Sequence, residues 1–349
     1  MTIAGVATAF PGTRYGEGVL RGALQRRSGA RAKTQAFMKT LQTQVGVNTR
    51  RVALPLEGYY GLQRWGQAND HWIEIAQDIA QKALCGALAR AGLVSSDLSA
   101  LLFVSITGIS SPSIDARLVN YMGLPLNIKR MPIFGLGYVG GAAAISRAAD
   151  YVRAFPNEVA AVLAVELCSL TLQQDDVSIA NVISSALFGD GAAAVLVAGA
   201  DRHAGGPRIL ATRSVFYPDS EDVMGTDSSE KGFRIVLSSE VPAAVQDHLA
   251  ADVDIFLDDQ ALSRSHIGSW VLHTGGPRVL EGTAAALGLT RADLEASWDC
   301  LRDMGNFSSA SVLAVLEEVM MNRRPPAGAY GLLVAMGPGF RSELVLMQW

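Results

Sequence analysis

The chain has very little cysteine: Cys85, Cys168 and Cys300 are its three thiols among 349 residues. They lie far apart and show no paired spacing, so a disulfide framework is excluded and a reducing, cytoplasmic setting is expected. Histidine is equally scarce, with five residues, none at ligand spacing from a cysteine. No metal centre is therefore expected. Apolar runs such as Val159–Val165 and Ala192–Ala198 fall far short of the ~20 residues of a membrane span. Met1–Pro11 carries no basic stretch ahead of an apolar one, so neither an export signal nor an integral membrane segment is expected. An excess of positive charge is also missing. The formal net charge of −4 leaves no basic surface for a nucleic-acid partner.

What is present is apolar and small. Hydrophobic residues make up 49% and charged residues 18%, the balance of a chain that buries a large core. Leu101–Val104 and Val159–Val165 read as buried strands, apolar runs bounded by polar or turn residues. Gly140–Arg153 has helical composition. Ile73–Ala91 forms an amphipathic helix closed by Gly92 in a left-handed cap. Recurring strand and helix patterns predict an α/β fold.

An internal echo divides the chain. In the first part, a glycine-flanked turn and small-residue helix (Gly137–Ala149) precede a hairpin-like strand pair around Phe188–Ala200. Gly305–Val319 and Gly331–Met347 repeat that order. Two similar halves are expected, residues 1–203 and 204–349, joined near Asp201–Pro207; chance similarity between βα units is the alternative. Pro218–Lys231 reads as a polar surface excursion without apolar period, and Arg323–Gly328 as a turn.

Three segments carry candidate chemistry: Gly135–Gly141, Val271–Pro277 and Met304–Ser311. The first runs through glycines into an Ala-rich helix, a layout that presents a side chain at a helix N-terminus. Tyr138 stands at the presenting position. His273 precedes a Gly-Gly-Pro turn, which leaves its ring at a strand end with room for a substrate backbone. Asn306 follows a glycine and opens a helix, where its carboxamide either caps that helix or aims a donor into a cleft. Side by side, a His and an Asn would stabilise an enolate or oxyanion. Each has a structural alternative, a turn histidine or a helix cap.

Those segments, with Glu166–Leu172, Ala186–Ala194 and Gly337–Leu346, resemble the type III polyketide synthases, the chalcone-synthase-like enzymes of the thiolase superfamily. The resemblance covers essentially the whole chain in order, and Val-Glu-Leu-Cys-Ser-Leu looks closest to alkylpyrone and alkylresorcinol synthases. It implies a homodimer of thiolase-like, five-layered αβαβα subunits that takes acyl-CoA and malonyl-CoA as substrates and needs no cofactor. In the family, a cysteine captures the starter acyl group. His and Asn then stabilise the enolate of decarboxylated malonyl-CoA, which attacks the captured thioester.

By that resemblance His273 and Asn306 fall on the family's His and Asn, and Phe188 on the phenylalanine guarding the CoA tunnel. Gly275 and Gly276 match the loop that shapes the cavity floor. Cys168 and Thr171 fall on cavity-lining positions, Cys168 having a buried structural thiol as its alternative. Ile235 replaces a second gatekeeping phenylalanine, and Ser308 of the Gly-Asn-Phe-Ser-Ser motif joins the substrate-binding set. Lys39, Arg50 and Arg51 are candidates for a CoA-binding cluster. Tyr138 occupies the cysteine's place.

A phenol, with an ordinary pKa near ~10, is a far poorer nucleophile at neutral pH than an activated thiol. Three readings remain open for such a chain. It is a synthase variant blocked in acyl loading, a homologue performing a cysteine-free condensation or malonyl decarboxylation, or a non-catalytic partner subunit.

Overall fold

The computed structural model describes residues 1–28, 45–62, 64–173, 176, 178–238 and 241–349. Its strands in chain order begin with β1 (Thr2–Ala9), β2 (Thr13–Gly16), β3 (Thr49–Val52), β4 (Leu98–Val104), β5 (Lys129–Ile133), β6 (Val159–Leu167) and β7 (Asp190–Ala198). After them come β8 (Arg208–Phe216), β9 (Met224–Ser229), β10 (Gly232–Leu237), β11 (Ile267–Leu272), β12 (Tyr330–Gly337) and β13 (Arg341–Gln348). Nine of them form one mixed sheet in the order β11-β12-β13-β8-β1-β7-β6-β4-β5. Its two parts meet where β1 pairs β8 only at Thr2 and Arg208.

Strands β6 and β7 are buried along their whole lengths, as expected for apolar runs covered on both faces. Alternate residues divide between two cores. Leu101, Leu163 and Leu196 face the long helix Trp65–Ala91, whose Ala76, Ala80, Ala83 and Ala87 let it lie close to the sheet. Leu102, Val162 and Val195 face the helices Gly140–Ala154 and Ser311–Asn322. That second core also takes Val271, Leu333 and Val345 from the other part of the sheet, so the two helices are sandwiched between sheet layers. A third core puts Trp270, Leu332 and Leu344 against Val245, Leu249 and Leu280 of the helices Val241–Asp258 and Pro277–Leu287. The resulting layering is αβαβα.

The helix at Ile73–Ala91 starts earlier than its apolar period, at Trp65, because Gln67 Oε1 accepts the Arg64 backbone N–H at 3.1 Å. Gly92 closes it at φ 66°. One reading is corrected, and one, a largely exposed surface segment, is refined. The segment around Phe188–Ala200 is not a hairpin but the single strand β7, since the backbone of Phe188 and Gly189 is committed to Asn306. Pro218–Lys231 contains β9, which pairs antiparallel with β10 in a ribbon. Its Thr, Asp and Ser residues satisfy a backbone ladder without any apolar alternation.

The two sandwiched helices approach closely at their N-terminal ends. A Cβ on Gly141 would lie 2.2 Å from the carbonyl oxygen of Ser309. Neither backbone can yield without moving the turn that carries Asn306. Gly141→Ala is therefore expected to destabilise the fold by about 2 kcal/mol or more, despite alanine's better helix propensity. An undiminished urea midpoint would contradict this packing.

Candidate active site

Tyr138 sits in the one-turn 3-10 helix Gly137–Val139 that runs directly into the helix Gly140–Ala154. Gly137 has φ 56°, and a Cβ there would lie 2.6 Å from Pro338 Cγ, so the turn tucks against the β12–β13 hairpin only with glycine. The tyrosine is buried. Its ring lies parallel to Phe188 (centroids 5.8 Å apart, 4° between planes) and tilted against His273 at 5.9 Å. Burial pushes its phenol pKa well above the ordinary value, reinforced by Cys168 and Glu166.

Phe188 ends the helix Ile179–Leu187 and is stitched to Asn306. Asn306 donates its backbone N–H to Leu187 O at 3.0 Å, and its carbonyl accepts from Gly189 N at 2.8 Å. The preceding Gly305 has φ 74°, and a Cβ there would lie 2.8 Å from Leu187 O. The Asn306 side chain is oriented by its surroundings: Oδ1 accepts from the Ser308 N–H at 2.8 Å and the Ser311 hydroxyl at 3.3 Å. The amide Nδ2 is left as a donor.

His273 follows β11, its backbone N–H bonded to Val334 O at 3.1 Å and its carbonyl accepting from Gly275 N at 2.9 Å. Gly276 has φ 123°, a conformation that lets the chain turn at once into the helix beginning at Pro277. Burial lowers the imidazole pKa to about 4, so the ring is neutral at pH 7. Its Nδ1 is buried without a hydrogen-bond partner among the described residues.

These side chains converge on one cavity of about 510 Å³. Tyr138, Phe188, His273, Gly275, Gly276 and Asn306 all line it, with apolar walls from Val241, Val245, Leu249, Met224 and Phe340. Arg278 is the one charged residue among the described residues of that lining. Four of the expected substrate-binding residues stand outside the lining. Cys168 is buried in the same apolar cluster as Tyr138 and Phe188, its thiol pKa raised by burial. Thr171 donates its hydroxyl to Cys168 O at 2.8 Å. Ile235 is half-buried on β10, and Ser308 is buried with φ 51°.

Arg50 is turned inward, so it is not a solvent-facing phosphate ligand. Its guanidinium donates to Ser185 O at 2.5 Å and Phe188 O at 3.1 Å. Burial lowers its pKa to about 10, which leaves it cationic. Arg51 donates to Pro11 O and Gly12 O, and Lys39 lies outside the described residues.

Two buried carboxyls were not anticipated. Glu166 accepts from the Ser309 and Thr107 hydroxyls and the Ile106 N–H; Asp190 accepts from the Ala53 and Ser169 N–H groups. Burial raises each pKa to about 7. A carboxylate inside the continuous apolar run Val-Glu-Leu was the available signal for Glu166. Among the described residues no cluster of His, Cys, Asp and Glu could hold a metal ion, and no helix is long and apolar enough to cross a membrane.

Comparison with known proteins places this geometry. Residues 62–202 match the N-terminal domain and 208–349 the C-terminal domain of the family described as chalcone and stilbene synthases. The chain is 46% identical over 351 aligned positions to a 1,3,6,8-tetrahydroxynaphthalene synthase of Streptomyces peucetius subsp. caesius, covering 100% of this chain and 93% of that protein. It is 37% identical to a putative chalcone synthase of Bacillus subtilis, covering 87% and 86%. The crystal structure of 1,3,6,8-tetrahydroxynaphthalene synthase from Streptomyces coelicolor superposes with a TM-score of 0.93 at 29% identity, covering 100% of this chain and 99% of that one. The fold is thus the thiolase-like α/β fold of these enzymes, and the chain belongs to the type III polyketide synthase family.

Proposed function

We propose that the cavity binds malonyl-CoA and decarboxylates it at His273 and Asn306, and that Tyr138 stands where the family's nucleophilic cysteine would capture a starter acyl group. The inherited reaction is condensation of an aliphatic acyl-CoA with malonyl-CoA to a pyrone or resorcinol, impeded here at acyl loading. Residues 1–203 supply Tyr138 and Phe188, and residues 204–349 supply His273 and Asn306.

What supports this most is the convergence of a neutral imidazole and an unengaged carboxamide N–H on one apolar cavity. Losing CO2 from malonyl-CoA leaves an electron pair that spreads onto the thioester oxygen. Donors fixed in a water-poor site stabilise that charge without reorganising. An imidazole that stays neutral can donate without pairing to the substrate carboxylate, whose departure is the reaction. Arg278 at the start of the Pro277–Leu287 helix is positioned to hold the phosphates of CoA.

Tyr138 changes the next step. The family's loading thiol needs a low pKa, whereas burial holds the Tyr138 phenol protonated. Its ring also takes up room between Phe188 and His273 that a starter chain would need. The apolar walls suit an alkyl chain. Identity with the Streptomyces peucetius enzyme favours a second reading of the inherited product, a hydroxylated aromatic such as tetrahydroxynaphthalene. The exposed Tyr121, Leu126 and Phe134 support a homodimer, since a short segment leaves that much apolar surface uncovered in one subunit.

Labelled malonyl-CoA tests the proposal. The chain is expected to release CO2, and His273→Ala is expected to lower that rate about 100-fold or more. Tyr138→Cys is expected to form polyketide from an acyl-CoA and malonyl-CoA, detected by mass spectrometry. Absence of CO2 release from the chain, or indifference to His273→Ala, would sink the proposal.

The pH dependence has a definite sign. A folded pKa of about 4, below the ordinary histidine value of ~6.5, means that the unfolded chain binds more protons between those values. The His273 contribution to stability is therefore complete above pH ~6.5 and is lost as pH falls toward 4. In an NMR titration the His273 ring resonances should hold steady from pH 8 to pH 5. A midpoint near ~6.5 would contradict the buried, neutral ring.

A further inference from the structure

We propose that the Tyr138 hydroxyl protonates the enolate formed at His273 and Asn306, so that the chain turns malonyl-CoA into acetyl-CoA and CO2 rather than into a polyketide. This rests on the decarboxylation reading above and assigns Tyr138 a catalytic role within it.

An enolate in this cavity has two fates, attack on a captured thioester or protonation at carbon. Without a thiol at the loading position the first lacks its electrophile. The second needs an acid in reach, and the described lining residues offer few. His273 and Asn306 are the donors that hold the enolate oxygen. Among the lining residues Tyr138 adds an acidic O–H whose ring lies against His273.

The geometry of Tyr138 suits this task. Its ring is buried, but its hydroxyl oxygen is not fully enclosed and makes no hydrogen bond to the described residues, so it faces the cavity that the side chain lines. Its ring is held by the parallel Phe188 ring and by the turn that Gly137 makes against Pro338, so the hydroxyl is presented from a fixed side. Burial keeps the group protonated until a base as strong as a thioester enolate forms beside it.

The step balances. The bond from Cα to the carboxylate carbon breaks, and its electron pair moves into the enolate as CO2 leaves. Cα then takes the proton from Tyr138 Oη, the thioester carbonyl re-forms, and the phenolate takes a proton from solvent. The sum is malonyl-CoA plus one proton giving acetyl-CoA and CO2.

Tyr138→Phe removes the hydroxyl and keeps the ring packing. The full chain and this variant are incubated with malonyl-CoA in an equal mixture of H2O and D2O. CO2, acetyl-CoA and the deuterium content of its methyl group are measured, with acetyl-CoA affinity as a check on the folded site. The expected result is acetyl-CoA formation about 100-fold slower in Tyr138→Phe, a changed deuterium fraction, and unchanged affinity. Equal rates and equal deuterium fractions in the two proteins overturn the role of Tyr138 while leaving decarboxylation in place. If the parent chain releases no CO2, the decarboxylation reading falls and this inference with it.

Discussion

The short parallel bridge between Phe188 and Asn306 is the constraint on which the rest of the site depends. Through it the end of the Ile179–Leu187 helix and the turn before the Ser311–Asn322 helix share a backbone ladder: Asn306 donates to Leu187 and accepts from Gly189. The bridge fixes a cavity-lining aromatic ring and a carboxamide relative to each other, although 118 positions separate them in the chain (306 − 188). Arg50 holds the same segment from the other side through the carbonyls of Ser185 and Phe188. Backbone hydrogen bonds in a buried place are costly to break, because every group left behind loses its partner without regaining water. A cavity framed in this way keeps its shape when a single lining side chain changes.

Charge is arranged around the cavity rather than within it. Glu166 and Asp190 stand outside its lining, each satisfied by hydroxyl and backbone donors and each with its pKa raised to about 7 by burial. The lining itself is apolar except for a few hydrogen-bonding groups and Arg278. Negative charge that develops inside would therefore meet neutral donors, with no carboxylate among the described lining residues to repel it. The same low-polarity setting keeps the Tyr138 phenol from ionising. One physical cause thus favours an enolate held by donors and disfavours a phenolate nucleophile.

Much of the architecture was legible in the residues. Continuous apolar runs became the fully buried β6 and β7, and Gly92 took the left-handed cap its position suggested. Tyr138, His273 and Asn306 stood out as local motifs and do meet in one cavity. What was hidden depends on partners distant in sequence. Nothing local in Phe188–Gly189 announces that its backbone pairs with Asn306, so a hairpin was expected where a single strand follows a bridge. The polar β9–β10 ribbon carries no apolar period by which to find it. The apolar face of Val241–Asp258 reads the same whether it packs on a sheet or lines a cavity with Val245 and Leu249. Cys168 is buried in the same apolar cluster without lining the cavity, a distinction that local sequence does not carry.

The central claim is that Tyr138 ends covalent acyl capture while the chemistry at His273 and Asn306 continues. Intact-protein mass spectrometry of the chain during turnover of malonyl-CoA, alone and with a long-chain acyl-CoA, tests it most directly. The account predicts an unmodified protein mass throughout, while acetyl-CoA accumulates in the same sample. A mass increase matching a bound acyl group, located on Tyr138 by peptide mapping, would contradict it.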